Sequence, residues 1–316
     1  MTDNKSNPAS EKSGFHPRNP HRFRYNFEQL ISVCPELVPF VKPNKYNTES
    51  IDFANPDAVK TLNKAILKLH YQLEYWDIPA NYLCPPIPSR ADYIFHVADL
   101  LASGNKGIIP TGKTVSVLDI GVGANCIYPI IGNQTFGWHF VGSDIDPMAI
   151  RAAQKIIDSN IGLKGKIELR LQSKSSNIFS NVMNPGEMFD LSICNPPFHS
   201  SQELASEGRN RKNRNLNWKT EKVPALNFGG QTAELCCDGG EAEFLRRMVK
   251  QSSEIPDHIR WFTSLVSKKS NLSGIYKALQ KAGAKDVRTI EMEHGQKQSR
   301  IVCWTFQTEN ESMSAM

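Results

Sequence analysis

The sequence predicts a doubly wound α/β fold with a seven-strand sheet, joined to a mainly helical N-terminal extension. Three observations carry this. After Gly112 short apolar runs alternate with helical patterns, the order in which strands and crossover helices build a parallel sheet. From Phe15 to about Pro88, helical patterns are instead broken by prolines. A chain of 316 residues buries a full core and suits one large body with a smaller attached region.

The elements follow in order. Residues 1–14 and 309–316 are polar and poor in apolar side chains, so both are expected to be disordered tails without chemistry. The region 15–110 carries helical patterns from Asn26 to Cys34 and from Ala58 to Trp76. The region 111–308 is expected to hold the sheet. Its strands are predicted at Val115 to Ile120, Phe140 to Gly142, Ile167 to Leu171, Phe189 to Cys194, Trp261 to Val266, Val287 to Glu293 and Ile301 to Phe306. Helices are predicted at Pro147 to Ser159, Glu241 to Ser253 and Ser273 to Ala282, the second placing Phe244, Leu245, Met248 and Val249 on one face. No internal repeat is present.

Composition excludes some classes. Lys plus Arg number 37 against 32 Asp plus Glu, a balance of +5 that is too mild to identify a nucleic-acid binder by itself. The seven cysteines are scattered, and the adjacent pair Cys236-Cys237 lacks the spacing of a zinc or redox site, so reduced thiols and no metal are expected. No run approaches the roughly 18 apolar residues of a membrane span, and no signal-peptide core opens the chain. A soluble cytoplasmic protein with no membrane association and no obligate protein partner is the expectation.

The first chemical motif is Val115-Ser116-Val117-Leu118-Asp119-Ile120-Gly121-Val122-Gly123-Ala124-Asn125, a buried strand running into a glycine turn at the carboxyl edge where open α/β sheets bind ligands. Glycine lets the backbone approach a ligand closely. Asp144, at the end of the next strand, has the place of an acidic residue that accepts both hydroxyls of a ribose. The third glycine of the dinucleotide fingerprint is replaced by Cys126, which disfavours a pyrophosphate. S-adenosyl-L-methionine, lacking phosphate, fits the pattern better than a nicotinamide dinucleotide. A plain strand-to-turn connection is the alternative for the glycines alone.

The second motif is Asn195-Pro196-Pro197-Phe198, directly after the Phe189 to Cys194 strand and on the same sheet edge. Two prolines remove two N–H donors and fix the backbone, so the Asn195 side-chain oxygen and the Pro196 carbonyl are aimed to accept both hydrogens of one amino group. An exocyclic amine of a base is a poor nucleophile because its lone pair is delocalised into the ring. Two acceptors favour the pyramidal nitrogen that exposes it. Phe198 is placed to stack on the base and orient it toward a methyl donor, base–aromatic stacking being worth roughly 1–3 kcal/mol.

Two segments are suited to RNA. Residues 199–231 form a long basic loop with Arg209, Arg211, Lys212, Arg214, Lys219 and Lys222 around Trp218, suited to phosphates and one stacked base. The segment from Arg18 to Tyr25 interleaves Arg18, Arg22 and Arg24 with aromatics, a composition that fits irregular or single-stranded RNA and equally an anchored N-terminus. Lys268 follows a strand on the same sheet edge.

With FHPRNPHRFRYNFEQLI, IPSRADYI, LDIGVGANCIYP, CNPPFHSS, NFGGQTAEL, GGEAEFLRRM and LVSKKSNLSGI in view, the sequence resembles the ribosomal RNA large subunit methyltransferase F family, the 23S rRNA adenine(1618)-N(6)-methyltransferases, related to methyltransferase-like enzymes acting on small nuclear RNA. The resemblance runs from about Phe15 to Phe306. It implies a Rossmann-like class I methyltransferase that uses S-adenosyl-L-methionine to methylate the 6-amino group of an adenine in 23S rRNA, free or in a large-subunit assembly intermediate. It implies cofactor contacts at Arg90, Gly121, Asn125 and Asp144, with Ser175 as a further match; Asp119 and Gly123 of the strand and glycine turn are expected at the cofactor beside them. Asn195 reaches both cofactor and base, and 15–110 serves as an RNA-binding and cofactor-lid region. A helix-start salt bridge is the alternative for Arg90. The same tetrapeptide also serves guanine 2-amino groups and protein glutamine amides, the basic segments counting against a protein. An RNA-binding protein without catalysis is the remaining class, opposed by the intact set of Asp119, Gly121, Asp144 and Asn195.

Overall fold

The computed structural model describes residues 14–199, 236–294 and 297–308. The N-terminal part begins with helix α1 (Phe27–Val33), capped by Asn26, whose side chain accepts from the Gln29 N–H. A small antiparallel ribbon, β1 (Val41–Pro43) and β2 (Glu49–Ile51), precedes α2 (Pro56–Tyr71). Asn55 caps α2 through the Asp57 and Ala58 N–H groups, and the helix stops where Gln72 turns left-handed at φ 56°. This end falls short of the Trp76 expected from periodicity, since a left-handed residue cannot continue the helix. Helix α3 (Ile87–Ser103) follows, largely buried, with Ser89, Asp92, His96, Asp99 and Ser103 along one face.

The main sheet holds β3 (Ser116–Ile120), β4 (His139–Asp144), β5 (Ile167–Leu171), β6 (Phe189–Cys194), β7 (Ile259–Val266), β8 (Asp286–His294) and β9 (Lys297–Thr305), in the order β5-β4-β3-β6-β7-β9-β8. The first five are parallel, as the alternation of strands and helices requires. One strand differs from an all-parallel expectation: β9 runs antiparallel to both β7 and β8, so that β8 again points along the first five. Two residues separate His294 from Lys297, and so short a connection can join only antiparallel strands.

Helices α4 (Ile127–Phe136), α5 (Pro147–Asp158), α6 (Gly240–Ser252) and α7 (Leu272–Ala282) complete the layers. On one face, Val117, Leu191, Ile193 and Leu265 pack with residues of α2, α3, α4 and α5. On the other, Leu118, Phe189, Phe262 and Trp304 pack with Leu245 and Met248 of α6 and Leu279 of α7. Phe262 and Trp304 stack at 5.8 Å, and the Trp304 indole N–H donates to Ser252 Oγ. Burying such a ring contributes about 1.5–3 kcal/mol. The N-terminal helices therefore share the core of the sheet. None of the seven cysteines is joined in a disulfide. Among the described residues, no helix is long and apolar enough to cross a membrane, and no His, Cys, Asp or Glu group is arranged to hold a metal.

Candidate active site

The chain runs outward from β3 through β4 to β5, then returns to place β6 on the other side of β3. Beyond their last paired residues, Ile120 and Cys194, the chain leads from β3 toward β4 and from β6 toward β7, and this parting opens a crevice. Into it come the glycine turn after β3 and the Asn-Pro-Pro-Phe turn after β6. Gly121 and Gly123 have φ of 78° and 65°, and a Cβ at Gly121 would meet nothing within 4 Å, so the open side of the turn faces the crevice. The Gly121 and Val122 N–H groups both donate to the Ser143 carbonyl, locking the turn against β4.

A cavity of about 320 Å³ fills the crevice. Of the residues expected at the cofactor, Arg90, Gly121, Gly123, Asn125, Asp144, Ser175 and Asn195 line it, together with Pro196 and Pro197. Asp144 is oriented by backbone: its Oδ2 accepts from the Gly123 N–H and its Oδ1 from the Asp146 N–H, both at 2.9 Å. Burial raises its pKa against the pull of those N–H groups. Asn125 is engaged at both ends of its amide, accepting from the Ile127 N–H and donating to the Leu83 carbonyl, while its own carbonyl accepts from Trp76. Arg90 stands in the first turn of α3, 9% exposed, with its guanidinium 5.8 Å from the Tyr128 ring. The helix-start salt bridge is absent, no Arg90 ion pair being formed among the described residues.

Asp119 differs from the expectation. It is fully buried under the turn and is not a wall of the cavity. Neither carboxylate oxygen has a hydrogen-bond partner among the described residues, and desolvation, reinforced by Asp144, pushes its pKa well above the carboxylate range. The Asn195 Oδ1 is likewise buried without a partner. An unsatisfied buried acceptor costs about 1–3 kcal/mol.

Phe198 turns away from this cavity into a second one of about 310 Å³, which it shares with Arg90 and Asn195. Its other walls are mostly apolar, among them Phe15, Tyr25, Phe53, Leu62, Pro88 and Met292. The N-terminal segment is held over it by α3: Asp92 Oδ1 accepts from the His16 N–H at 2.7 Å and from Asn19 Nδ2 at 2.9 Å. Arg18 pairs with Asp99, and Arg22 donates to the Pro17 carbonyl and lies 4.7 Å from the Phe23 ring. Arg24 is exposed. None of the three lines either cavity. Lys268 is exposed at the end of β7, its N–H held by the buried Glu241, which also accepts from Ser267 and Asn271. Arg209, Arg211, Lys212, Arg214 and Trp218 lie outside the described residues.

Sequence reasoning missed part of the cavity wall. Tyr128, Asn177, Ile178, Phe244 and Arg247 all line it. Helix α6 pins the loop after β5, with Gln251 accepting from the Ile178 N–H and donating to the Ser176 carbonyl. Phe244 had a signal, being on the apolar face of α6 at its site end; Arg247, one turn on, had none.

The comparisons with known proteins agree with this arrangement. A family model described as RNA methyltransferase matches residues 9–308. Ribosomal RNA large subunit methyltransferase F of Photobacterium profundum is 53% identical over 322 residues, covering 97% of this chain and 95% of that protein. The protein of the same name from Flavobacterium johnsoniae is 53% identical over 312 residues, covering 98% and 99%. Among solved structures, the human METTL16 catalytic domain in complex with MAT2A 3'UTR hairpin 1 superposes with a TM-score of 0.78 at 27% identity, over 93% of this chain and 96% of that one. The N-terminal domain of human METTL16 in complex with SAH gives a TM-score of 0.73 at 25% identity, over 93% and 99%. The seven-strand α/β fold is thus that of a Rossmann-like methyltransferase, and the chain belongs to the ribosomal RNA large subunit methyltransferase F family of RNA methyltransferases.

Proposed function

We propose that this enzyme methylates the 6-amino group of one adenine in 23S rRNA, with S-adenosyl-L-methionine as donor. The observation that carries the reading is Asn195, whose buried Oδ1, without a partner among the described residues, belongs to a residue standing between two cavities, the first more polar than the second. The first cavity fits the donor: it offers acceptors at Asp144, a cation at Arg90, an open glycine turn and the uncompensated Asp119 carboxyl beneath. The donor supplies an electrophilic methyl group on a cationic sulfur. Asp144 would hold the ribose through the lone pairs its two backbone N–H contacts leave free. Gly121, Gly123, Asn125 and Ser175 shape the remaining wall.

The apolar cavity suits a flat base, and Phe198 is its wall nearest to Asn195 in sequence. Asn195 Oδ1 and the Pro196 carbonyl would accept the two amine hydrogens and hold the nitrogen pyramidal, so that its lone pair is directed at the donor. Buried Pro196 and the absence of N–H groups at both prolines keep that carbonyl from rotating away. Arg18, Arg22 and Arg24 on one side and Lys268 on the other would meet phosphates, as would the basic residues of 199–231.

Deletion of the gene followed by mapping of methylated bases in cellular rRNA tests the reading. Loss of 6-methyladenine at one large-subunit position is expected. Loss of a 2-methylguanine instead, or an unchanged rRNA with an undermethylated protein glutamine, would reassign the acceptor. Comparison of protein-free 23S rRNA with assembly intermediates as substrates then identifies the form that is methylated.

A further inference from the structure

Helix α3 meets the sheet at the place where β6 delivers the chain to Asn195. The paired part of β6 and β7 ends at Ser192, opposite Phe262. The next polar backbone groups of β6 are satisfied by hydroxyls. The Cys194 N–H donates to the Tyr93 oxygen at 3.4 Å, the Tyr93 hydroxyl stands 2.8 Å from Thr263 Oγ1, and Thr263 Oγ1 donates to the Ser192 carbonyl at 2.8 Å. Thr263 has one hydrogen, and Ser192 takes it, so Tyr93 is the donor between the two hydroxyls. The Cys194 carbonyl, 3.5 Å from the same Tyr93 oxygen, is the weaker competitor. The bonds therefore run in one direction, from the Cys194 N–H through Tyr93 and Thr263 to Ser192, and close a ring on the residues just before the tetrapeptide.

This ring is dry and rigid. Tyr93, Thr263 and Ser192 are fully buried, and burial drives the Tyr93 phenol well above its usual pKa, so it stays protonated as the ring requires. The Tyr93 ring meets Tyr128 edge-on at 5.4 Å. Arg90, one turn earlier on the same helix, reaches both cavities. Asp92, the neighbour of Tyr93, holds the N-terminal segment. One short stretch of α3 thus touches the N-terminal segment, both cavities and the backbone that aims Asn195.

We infer that Tyr93 is a positioning residue for methyl transfer: its hydroxyl, with that of Thr263, fixes the backbone direction at Cys194 and hence where the Asn195 side chain and the Pro196 carbonyl stand. The inference rests on the reading of those two groups as the amine acceptors. Without the Tyr93 hydroxyl the Cys194 N–H loses its acceptor and the strand end relaxes, and a displacement of about 1 Å at reacting groups costs about 100-fold in rate.

The test measures single-turnover methyl transfer to a 23S rRNA fragment, cofactor binding by titration calorimetry and thermal unfolding for Tyr93→Phe, Thr263→Val, Thr263→Ser and Asn195→Ala. Tyr93→Phe should lower the rate constant about 10- to 100-fold while cofactor Kd and RNA KM stay within about twofold. Thr263→Val should do the same, Thr263→Ser should recover most of the rate, and the Tyr93→Phe/Thr263→Val pair should be no worse than either single change, because both break one ring. A lower melting temperature with an unchanged rate constant would make Tyr93 a packing residue and overturn the inference, as would additive effects in the double variant or a Thr263→Ser enzyme as slow as Thr263→Val. A wild-type rate in Asn195→Ala removes the reading of the tetrapeptide and this inference with it. A slow Asn195→Ala beside a full-speed Tyr93→Phe removes this inference alone.

Discussion

The two cavities that meet at Asn195 are built by opposite means. The cofactor-side cavity is made of strand ends and turns: Gly121 and Gly123 after β3, Asp144 at the end of β4 and Pro196 after β6. Its geometry is set by backbone hydrogen bonds of the sheet and by N–H groups that hold the Asp144 carboxylate. The cavity on the other side is made of apolar side chains from stretches far apart in the chain, from Phe15 and Tyr25 to Met292 and Ser299. The first arrangement suits a small molecule held by hydrogen bonds, the second a flat apolar surface held by shape. Changes to residues of one side only should therefore leave the other's ligand untouched, whereas Asn195 and Arg90, which line both, should answer to both.

The largest effect is expected there. Asn195→Ala should reduce the single-turnover rate by about 10²–10³, the cost of one lost transition-state hydrogen bond, while cofactor affinity changes modestly. Rapid-quench assays beside calorimetry check it, and an unchanged rate constant would dissolve the boundary between the two sides. Asp144→Ala should weaken cofactor binding by about 1–3 kcal/mol and leave transfer at saturating cofactor intact. Equal affinities would remove Asp144 from the site.

The same contrast explains what could be read from the sequence. Strands β3 to β6 and the motifs at their ends are local: each functional residue follows its strand within a few positions, and apolar runs mark the strands. The second cavity has no such signature, because nothing in FHPRNPHRFRY announces that Phe15 and Tyr25 will face Met292. Helix α3 carried a signal that sequence reasoning passed over, since Ser89, Asp92, His96, Asp99 and Ser103 recur at helical spacing. Helix α4 escaped for a local reason: it starts after a left-handed Cys126 without a side-chain cap, and its Ile127-Tyr128-Pro129-Ile130-Ile131 opening reads as a strand. Strands β8 and β9 were legible as strands, but their antiparallel direction follows from there being only two residues between them.

Overfilling the apolar side sharpens the comparison further. Ser299 on β9 faces the second cavity. Ser299→Phe should raise the RNA KM by the equivalent of about 1–3 kcal/mol, the usual cost of crowding a packed site, with cofactor affinity unchanged. Competition binding with labelled 23S rRNA fragments and calorimetry with the cofactor separate the two. Loss of cofactor affinity in this variant would show that the cavities are mechanically joined.

The smallest expected effect is on stability, and it concerns Asp119, buried without partners under the cofactor side. Its folded-state pKa is raised, first by burial and then by Asp144, whereas in the unfolded chain it returns to the ordinary value of about 3.9. Folding then favours the protonated acid: its contribution is fully present below the unfolded pKa and is lost as pH rises through the raised folded value. Asp119→Asn, uncharged at every pH, escapes that loss. The variant should melt close to the wild type at about pH 4 and higher than it at pH 8, by the equivalent of on the order of 1 kcal/mol, since burying a neutral amide costs less than burying an unpaired charge. Addition of S-adenosyl-L-methionine should reverse the ranking. A cationic ligand compensates the carboxylate and cannot compensate the amide, so the wild type should gain more in melting temperature from the same concentration. Melting curves at several pH values, with and without cofactor, measure both parts. Coincident wild-type and variant curves across the pH range would mean that folding does not raise the Asp119 pKa, and an equal cofactor-induced shift would mean that its charge plays no part in holding the donor.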